Sequence, residues 1–503
     1  MKYTHVIIGA GPSGLQMGSF LDDHCILEKS TQVCSFFRTY PRQRQFISIN
    51  KSSDMRLDWN SFIGDTVSFH DYTEELYPKT DDYVRYAEDF VKRKNLNIQF
   101  NYEVTSLVKL DDGTFSINDG DIIADKVFVG IGIVPKDVPF EVHPRFKVFT
   151  YANMPLDKEV YRGKVVLIIG LGNASLETAD FLSSVTKYTV IAGKGRCAYQ
   201  THFPGHLRSK NFTSVDSFFL KGGTHISFCP QGEEHYELTR EMESVKYMLQ
   251  GDGITGIDPF SGVDIVIFCI GFKFHCPFVQ DLIELCPTSK FPLLNDSFES
   301  TITPNLFFIG ANTQAHDFKQ GTSSFVGGFR FNCQYISRHL KGIEPEILDT
   351  EGLVKTILRQ LNTSACLLHR FDQFCDIIEK HSDGVWKYTK EVRLRTPLIN
   401  EFTVRLGYTN KFKTFESGAF DHPICIQPIC AHNSVMIHPI FQTKTYTYEM
   451  PEDVYNEFSD RCWHIDPLRK FIKYVEGKIS MDEFTDYILD IGQRGGRDYF
   501  WKN

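Results

Sequence analysis

Tyr3-Thr4-His5-Val6-Ile7-Ile8 runs directly into Gly9-Ala10-Gly11-Pro12-Ser13-Gly14, and this stretch decides the fold. The first six residues read as a short apolar strand. A helix with small and apolar faces is predicted over roughly residues 15–21, then a second strand, Cys25-Ile26-Leu27, closed by the acid Glu28. Strand, G-x-G-x-x-G turn, helix, strand and terminal acid make up a dinucleotide-binding fingerprint. Gly9 permits the tight turn, Gly11 lets the backbone approach a pyrophosphate, and Gly14 allows close contact between helix and strand. The helix start, with Pro12 and Ser13, offers free N–H groups and a positive dipole end to phosphates. Glu28, followed by Lys29, can accept hydrogen bonds from the ribose hydroxyls of an adenosine and would repel a 2′-phosphate.

A second signature begins at Lys164-Val165-Val166-Leu167-Ile168-Ile169-Gly170-Leu171-Gly172-Asn173-Ala174-Ser175. Ser175 stands where the third glycine would, a position that tolerates small residues. The next strand, Tyr188-Thr189-Val190-Ile191, ends without an acid and leads into Gly193-Lys194-Gly195-Arg196. Losing the acid and gaining bases at this corner is what a 2′-phosphate requires, so NADPH is expected rather than NADH. Two apolar strands closed by Gly132 and Gly271 echo one another. A last strand, Asn305-Leu306-Phe307-Phe308-Ile309-Gly310, leads towards Asp317. The chain is read as returning to its first domain near residue 261.

The expected fold is therefore α/β. It has two dinucleotide-binding, Rossmann-like domains, the NADP domain inserted into the FAD domain, plus a mixed α+β C-terminal region. The predicted boundaries are 1–155 and 263–345 for the FAD domain, 156–262 for the NADP domain and 346–503 for the remainder. Within that remainder, helices are predicted over 352–361, 367–380, 466–476 and 481–491, with a strand over 401–407.

Composition narrows the partners. The chain has 503 residues and a net charge of −9, which argues against nucleic acid or an anionic membrane as the main partner. Its longest apolar runs are strand-length, well short of the ~20 residues a membrane span needs. The 13 cysteines are scattered and include no C-x-x-C, which suits thiols in a reducing compartment. Cys425-x4-Cys430 has the spacing of one flavoprotein redox pair but lies far from the fingerprint and lacks its glycines. His422, His432, His438 and His464 lack metal-ligand spacing with cysteines, so no metal is expected.

Residues 35–46 interleave aromatics with Arg38, Arg42 and Arg44 and look too irregular for a helix or a strand. They are read as a loop lining a cofactor, with guanidiniums near phosphate or over a ring. Arg42, Arg44, Lys51 and His202 are candidates for nucleotide or substrate contact, a structural role being equally open. Two dinucleotide sites, the first suited to FAD and the second to NADPH, imply hydride transfer to a flavin. With no vicinal dithiol to take the electrons, O2 becomes the leading acceptor, activated at flavin C4a.

Gly9 to Gly14, Glu28, Asn50-Lys51-Ser52-Ser53-Asp54-Met55, Gly170 to Ser175 and the glycine-ended strands resemble the flavin-containing monooxygenase superfamily. In that superfamily an Asn in a T-N-S-S-K-E-M-like segment sits over the flavin and helps hold NADP and the oxygenated intermediate. The resemblance implies that role for Asn50. It further implies oxygenation of a nucleophilic N or S atom, or of a ketone. Residues 35–37, 40–42, 47–51, 56–61, Thr201-His202 and Asp466-Pro467-Leu468-Arg469-Lys470-Phe471 resemble one branch of the superfamily more narrowly, over most of the chain. That branch is expected in the endoplasmic-reticulum lumen, behind a signal and ahead of a retention sequence. This chain shows neither, ending Phe500-Trp501-Lys502-Asn503, and the expectation is a cytoplasmic protein. Ala311 after Gly310 replaces the acid of two-dinucleotide reductases, which favours the monooxygenase branch. Electron transfer to a protein or quinone acceptor without oxygenation is an alternative. A flavin-bound adaptor that recognises a protein client through residues 351–503 is another.

Overall fold

The computed structural model describes residues 1–50, 56–193, 217, 220, 223–226, 262–318, 321–407, 437–450, 458–459 and 461–498. Elements are numbered in chain order. Strand β1 (Lys2–Ile8) lies between β2 (His24–Leu27) and β6 (Ile122–Val129), parallel to both. The sheet extends through β3 (Ile98–Gln99) on one side and through β5 (Phe115–Ile117) and β4 (Leu107–Lys109) on the other. β14 (Leu306–Phe308) pairs with the far end of β6, placing Phe308 beside Val129. Val6, Ile7 and Ile8 are buried, as expected of a parallel strand covered on both faces.

The first helix, α1 (Pro12–Gly18), starts three residues earlier than predicted, because Pro12 suits a first helical turn. Residues 35–46 are not wholly irregular: α2 (Ser35–Thr39) is a short helix. The helix α3 (Thr80–Lys94) buries Tyr83, Ala87 and Phe90, and α5 (Val326–Lys341) packs against α1.

A second, wholly parallel sheet has the order β11-β10-β9-β12-β8. Its strands are β8 (Lys147–Thr150), β9 (Val165–Ile169), β10 (Tyr188–Ala192), β11 (Thr224–Ile226) and β12 (Ile265–Phe268). Helix α4 (Asn173–Leu182) follows β9. The predicted boundaries at 156 and 262 are corrected here. β8 lies upstream of the first and β12 downstream of the second, and the two pair with each other. β12 is thus the counterpart of β6 in the second sheet, and not a strand of the first. The pair β7 (Val134–Pro135) and β13 (Phe272–Lys273) joins the two crossings.

Beyond α5, an antiparallel sheet runs β15-β17-β16-β18-β19-β20. These strands are β15 (Glu346–Asp349), β16 (Phe374–Ser382), β17 (Val385–Arg393), β18 (Glu401–Gly407), β19 (His438–Gln442) and β20 (Thr447–Glu449). Helices α6 (Thr350–Thr363), α7 (Ala365–His369), α8 (Asp466–Val475) and α9 (Met481–Asp498) accompany them. The helix predicted over 367–380 is corrected: α7 ends at His369 and the chain turns into β16. Ala365, Cys366, Phe374, Cys375 and Val392 of this region join the core of the first sheet. Among the described residues, no helix is long and apolar enough to cross a membrane.

Candidate active site

The first glycine turn is built by close approach. A Cβ on Gly9, whose φ is +106°, would meet the Gly130 carbonyl oxygen at 2.5 Å, and one on Gly14 would meet the Gly9 oxygen at 1.9 Å. Gly310 closes on Ser13, whose Oγ would lie 2.4 Å from an added Cβ. Gly11 differs, because a Cβ there meets nothing within 4 Å. The space above it is a cleft of about 520 Å³ lined by Gly9, Gly11, Pro12, Ser13, Glu28, Lys29 and Gly132. Glu28 is buried and accepts from the N–H groups of Ala10 at 2.7 Å and Ser30 at 2.9 Å. A carboxylate has about four acceptor positions, so capacity remains for ribose hydroxyls.

The second turn repeats this construction. A Cβ on Gly170 would meet the Cys269 oxygen at 2.3 Å, whereas one on Gly172 meets nothing within 4 Å. Ser175 is buried behind it, its hydroxyl beside the Cys269 thiol. Gly271 lines a narrow pocket beside Thr150 and Phe272. Lys194 and Arg196, expected at the 2′-phosphate, lie outside the described residues.

Between the two turns is a largely apolar cavity of about 380 Å³. Phe36, Phe37, Phe46, Ile47, Trp59 and Asn60 wall it from the first domain, and Asn173, Ala174 and Glu177 from the first turns of α4. Residues 324–327, leading into α5, close it. Phe36, Phe37 and Ser324 line both this cavity and the first cleft, so the two adjoin. Tyr40 stacks on Tyr151 with centroids 5.7 Å apart and meets Phe272 edge-on at 5.2 Å. The amide Nδ2 of Asn60 is buried and has no partner among the described residues. Open glycine cradles, spare carboxylate capacity and an unspent amide donor fit a long dinucleotide with a flat polar-edged ring.

Residues 6–310 match the pyridine nucleotide-disulphide oxidoreductase family. The chain belongs to that family. FAD-dependent oxidoreductase domain-containing protein 2 of Mus musculus is 26% identical over 93% of this chain and 83% of its own length. Senecionine N-oxygenase of Tyria jacobaeae is 25% identical over 55% of this chain and 59% of its own. Bacillithiol disulfide reductase from Bacillus cereus shares the fold, with a TM-score of 0.50 at 18% identity over 68% of this chain and 99% of that one. The protein is a flavin-dependent oxidoreductase of Rossmann type that uses a nicotinamide nucleotide.

The structure places several expected site residues of this oxidoreductase away from the cavities. Arg38 pairs with Glu88 and donates to the Val33 carbonyl. Arg42 donates to the Met154 carbonyl at 2.8 Å, and its backbone N–H donates to the Tyr151 hydroxyl at 3.0 Å. Arg44 pairs with Asp81. The aromatics of this segment line the cavity while its guanidiniums tie domains and helices together. Asn50 is buried and donates to the Thr73 carbonyl at 3.0 Å. It lies in neither lining, and its Oδ1 has no partner among the described residues. Asp317 is buried against Arg370 of the C-terminal region at 2.8 Å and accepts from the Ser323 N–H. Lys51, His202, Cys425 and Cys430 lie outside the described residues.

Trp59, Asn60, Glu177, Phe272 and residues 322–327 were not singled out as site residues by motif. Asparagine and tryptophan at 59–60 carry no fingerprint spacing, and Glu177 reads as an ordinary helix residue. Burial raises the Tyr151 hydroxyl pKa, reinforced by the nearby Glu177 charge. The first cleft contains one described cysteine, Cys276, whose thiol burial pushes up to about 12. A thiol so held stays protonated and is a poor nucleophile.

Proposed function

We propose that this protein is an NADPH-dependent flavin monooxygenase, with FAD in the first cleft, its ring reaching the aromatic cavity, and NADPH on the second turn. One observation carries the reading: a single cavity takes walls from both nucleotide-binding domains, Phe36 and Ser324 from the first and Asn173 and Glu177, at the second turn, from the other. FAD, when bound, supplies the chemistry that accepts a hydride from the nicotinamide and passes electrons to O2. The chain's own residues bind and orient. Gly11 and Gly172 leave room for the two pyrophosphates, and Glu28 takes the adenosine ribose. Phe36, Phe37, Phe46 and Trp59 keep water from the ring, and Asn60 donates to its polar edge. Lys194 and Arg196 follow an acid-free strand end and supply the preference for NADPH. Gly132, Gly271 and Gly310 complete the nucleotide surroundings.

Oxygenation is supported by the likeness to a named N-oxygenase and by the protonated, single cysteine in the described cleft lining. The remaining cavity volume suits a small, mainly apolar substrate with a nucleophilic N or S atom or a ketone. Described cysteines are free thiols, which suits work in a reducing compartment such as the cytoplasm. The test is anaerobic reduction of the purified holoprotein by NADPH and by NADH, followed by admission of O2 with candidate amines, thioethers and ketones. Oxygenated product, with faster reduction by NADPH, supports the reading. Stoichiometric H2O2 without product across all three classes overturns oxygenation and leaves a nicotinamide-dependent flavin oxidoreductase.

A further inference from the structure

Behind the aromatic cavity lies buried charge that neither nucleotide turn requires. Arg330, on α5 one turn beyond Val326 and Gly327 of the cavity wall, has no exposed surface. One helical turn rises about 5 Å, so its guanidinium belongs to the layer directly behind that wall. It donates to the backbone carbonyls of Ser61 and Asp58 and, at 3.0 Å, contacts Nδ1 of His369. A guanidinium has only donors, so His369 Nδ1 must carry the lone pair. Burial, then the charges of Arg330 and Arg56, hold the His369 pKa well below its ordinary value. Every hydrogen-bond acceptor Arg330 reaches is therefore neutral.

Among the described residues, one carboxylate, Asp58, acts on Arg330, and Arg56 adds a second buried cation to the cluster. Arg56 is also buried, and its guanidinium donates to the Leu361 carbonyl. Asp58 is the carboxylate that acts on Arg330. Its oxygens already accept from the Asn60 and Ser61 N–H groups and from the hydroxyls of Ser61 and Ser68. Asp317 is matched by Arg370, and Arg393, a further buried cation, is acted on by Asp317 and Asp296. Tyr83 and Tyr86, facing from α3, stay protonated because burial raises both. A buried cation in excess of the neighbouring carboxylate is costly, and in low dielectric the excess acts strongly on charge created nearby.

We propose that Arg330, backed by Arg56, stabilises the negative charge that enters the aromatic cavity with a hydride. The inference rests on the flavin ring lying in that cavity. Hydride transfer breaks the nicotinamide C–H bond and carries two electrons and one proton to the acceptor ring. The nicotinamide leaves as its oxidised cation, and one negative charge is added to the ring unless a second proton comes from solvent. Trp59 lines the cavity and stacks on His369, which in turn contacts Arg330, so two rings link the cavity to the cation. Arg330 touches neither reactant and acts through the field it sets up, one of the ways a protein tunes a flavin.

The test is reductive titration of the holoprotein against reference dyes, with proton uptake followed from mildly acidic to neutral pH. The wild-type protein is expected to take up one proton per two electrons even in mildly acidic buffer, where reduced flavin free in water takes two. R330K should keep the single proton, whereas R330M should take two and show a lower potential. A wild-type protein that takes two protons overturns the proposal without any variant, which covers failure of R330M to fold. R330M with unchanged proton count and potential overturns it as well. N60A and F36L serve as controls for ring placement. If neither shifts the absorption of the bound oxidised flavin, the placement falls and this proposal falls with it. If they shift it while R330M changes nothing, only the proposal about Arg330 falls.

Discussion

Trp59 and His369 stack with ring centroids 3.8 Å apart and planes 25° apart, joining the N-terminal nucleotide domain to the C-terminal region. Trp59 also lines the aromatic cavity. The Thr322 hydroxyl, at the same wall, donates to the His369 carbonyl. The C-terminal region therefore backs the wall of the candidate site through His369. His369→Ala would remove the stacking partner of Trp59 and one acceptor of Arg330. A loss of about 2–4 kcal/mol is expected in urea unfolding, with flavin released at lower urea than in the wild type. Unfolding at an unchanged midpoint with flavin retained would contradict the packing argument.

The Asp317–Arg370 pair has side chains essentially without exposure. Arg370 also donates to the Thr322 hydroxyl at 3.2 Å. Removing one member strands a buried charge, which costs about 3–5 kcal/mol, while replacing both by apolar residues is often nearly neutral. R370M alone should lower stability by that amount. R370M combined with D317L should recover most of it. A double-mutant cycle by urea unfolding checks this, and strict additivity of the two single changes would show that the pair is not coupled.

Much of this arrangement was legible in the sequence because its signals are local. Gly9, Gly11 and Gly14 owe their identity to contacts within one turn, and so do Gly170 and Gly172. What could not be read depends on contacts distant in sequence. β12 was assigned to the wrong sheet because buried parallel strands all read as short apolar runs, whichever sheet they join. The helix predicted over 367–380 missed β16, where Asp376 interrupts the apolar residues Phe374 to Ile378 and masks their period. Asp317 looked like a nucleotide contact because its partner, Arg370, lies beyond the fingerprint region. The aromatic cavity needs both domains and the loop before α5, and no spacing in the chain encodes their meeting.

The glycines of the two turns separate binding from folding. Gly14→Ala would place a methyl 1.9 Å from the Gly9 oxygen, forcing backbone movement, and should cost about 3 kcal/mol or more. Gly11→Ala meets no protein atom within 4 Å. It should leave the melting temperature of the apoprotein unchanged while weakening FAD binding on the order of tenfold, roughly 1.4 kcal/mol. Gly172→Val should leave flavin content untouched and slow reduction by NADPH. Flavin content by absorbance, melting of apoprotein and NADPH reduction rates measure the three effects separately. Loss of flavin from the Gly172 variant would contradict the assignment of one nucleotide to each turn.

Asp376 makes stability depend on pH from a position outside the site. Its carboxyl is buried, accepts from the Glu391 N–H at 2.7 Å and is hydrogen-bonded by the Tyr388 hydroxyl. Burial outweighs those hydrogen bonds and raises its pKa from 3.8 to about 7, with the Glu391 charge adding to the rise. The folded state therefore holds a proton that the unfolded chain has already released between those values. The contribution is fully present below about pH 4 and is lost as pH rises towards 7. Between pH 5 and pH 8 it should amount to about 2–3 kcal/mol. Asp376→Asn cannot titrate there, so the stability of wild type relative to this variant should fall by that amount from pH 5 to pH 8. Urea unfolding of both holoproteins at the two pH values isolates the effect, because groups titrating elsewhere contribute equally to each. A pH-independent difference would mean that Asp376 keeps one protonation state throughout.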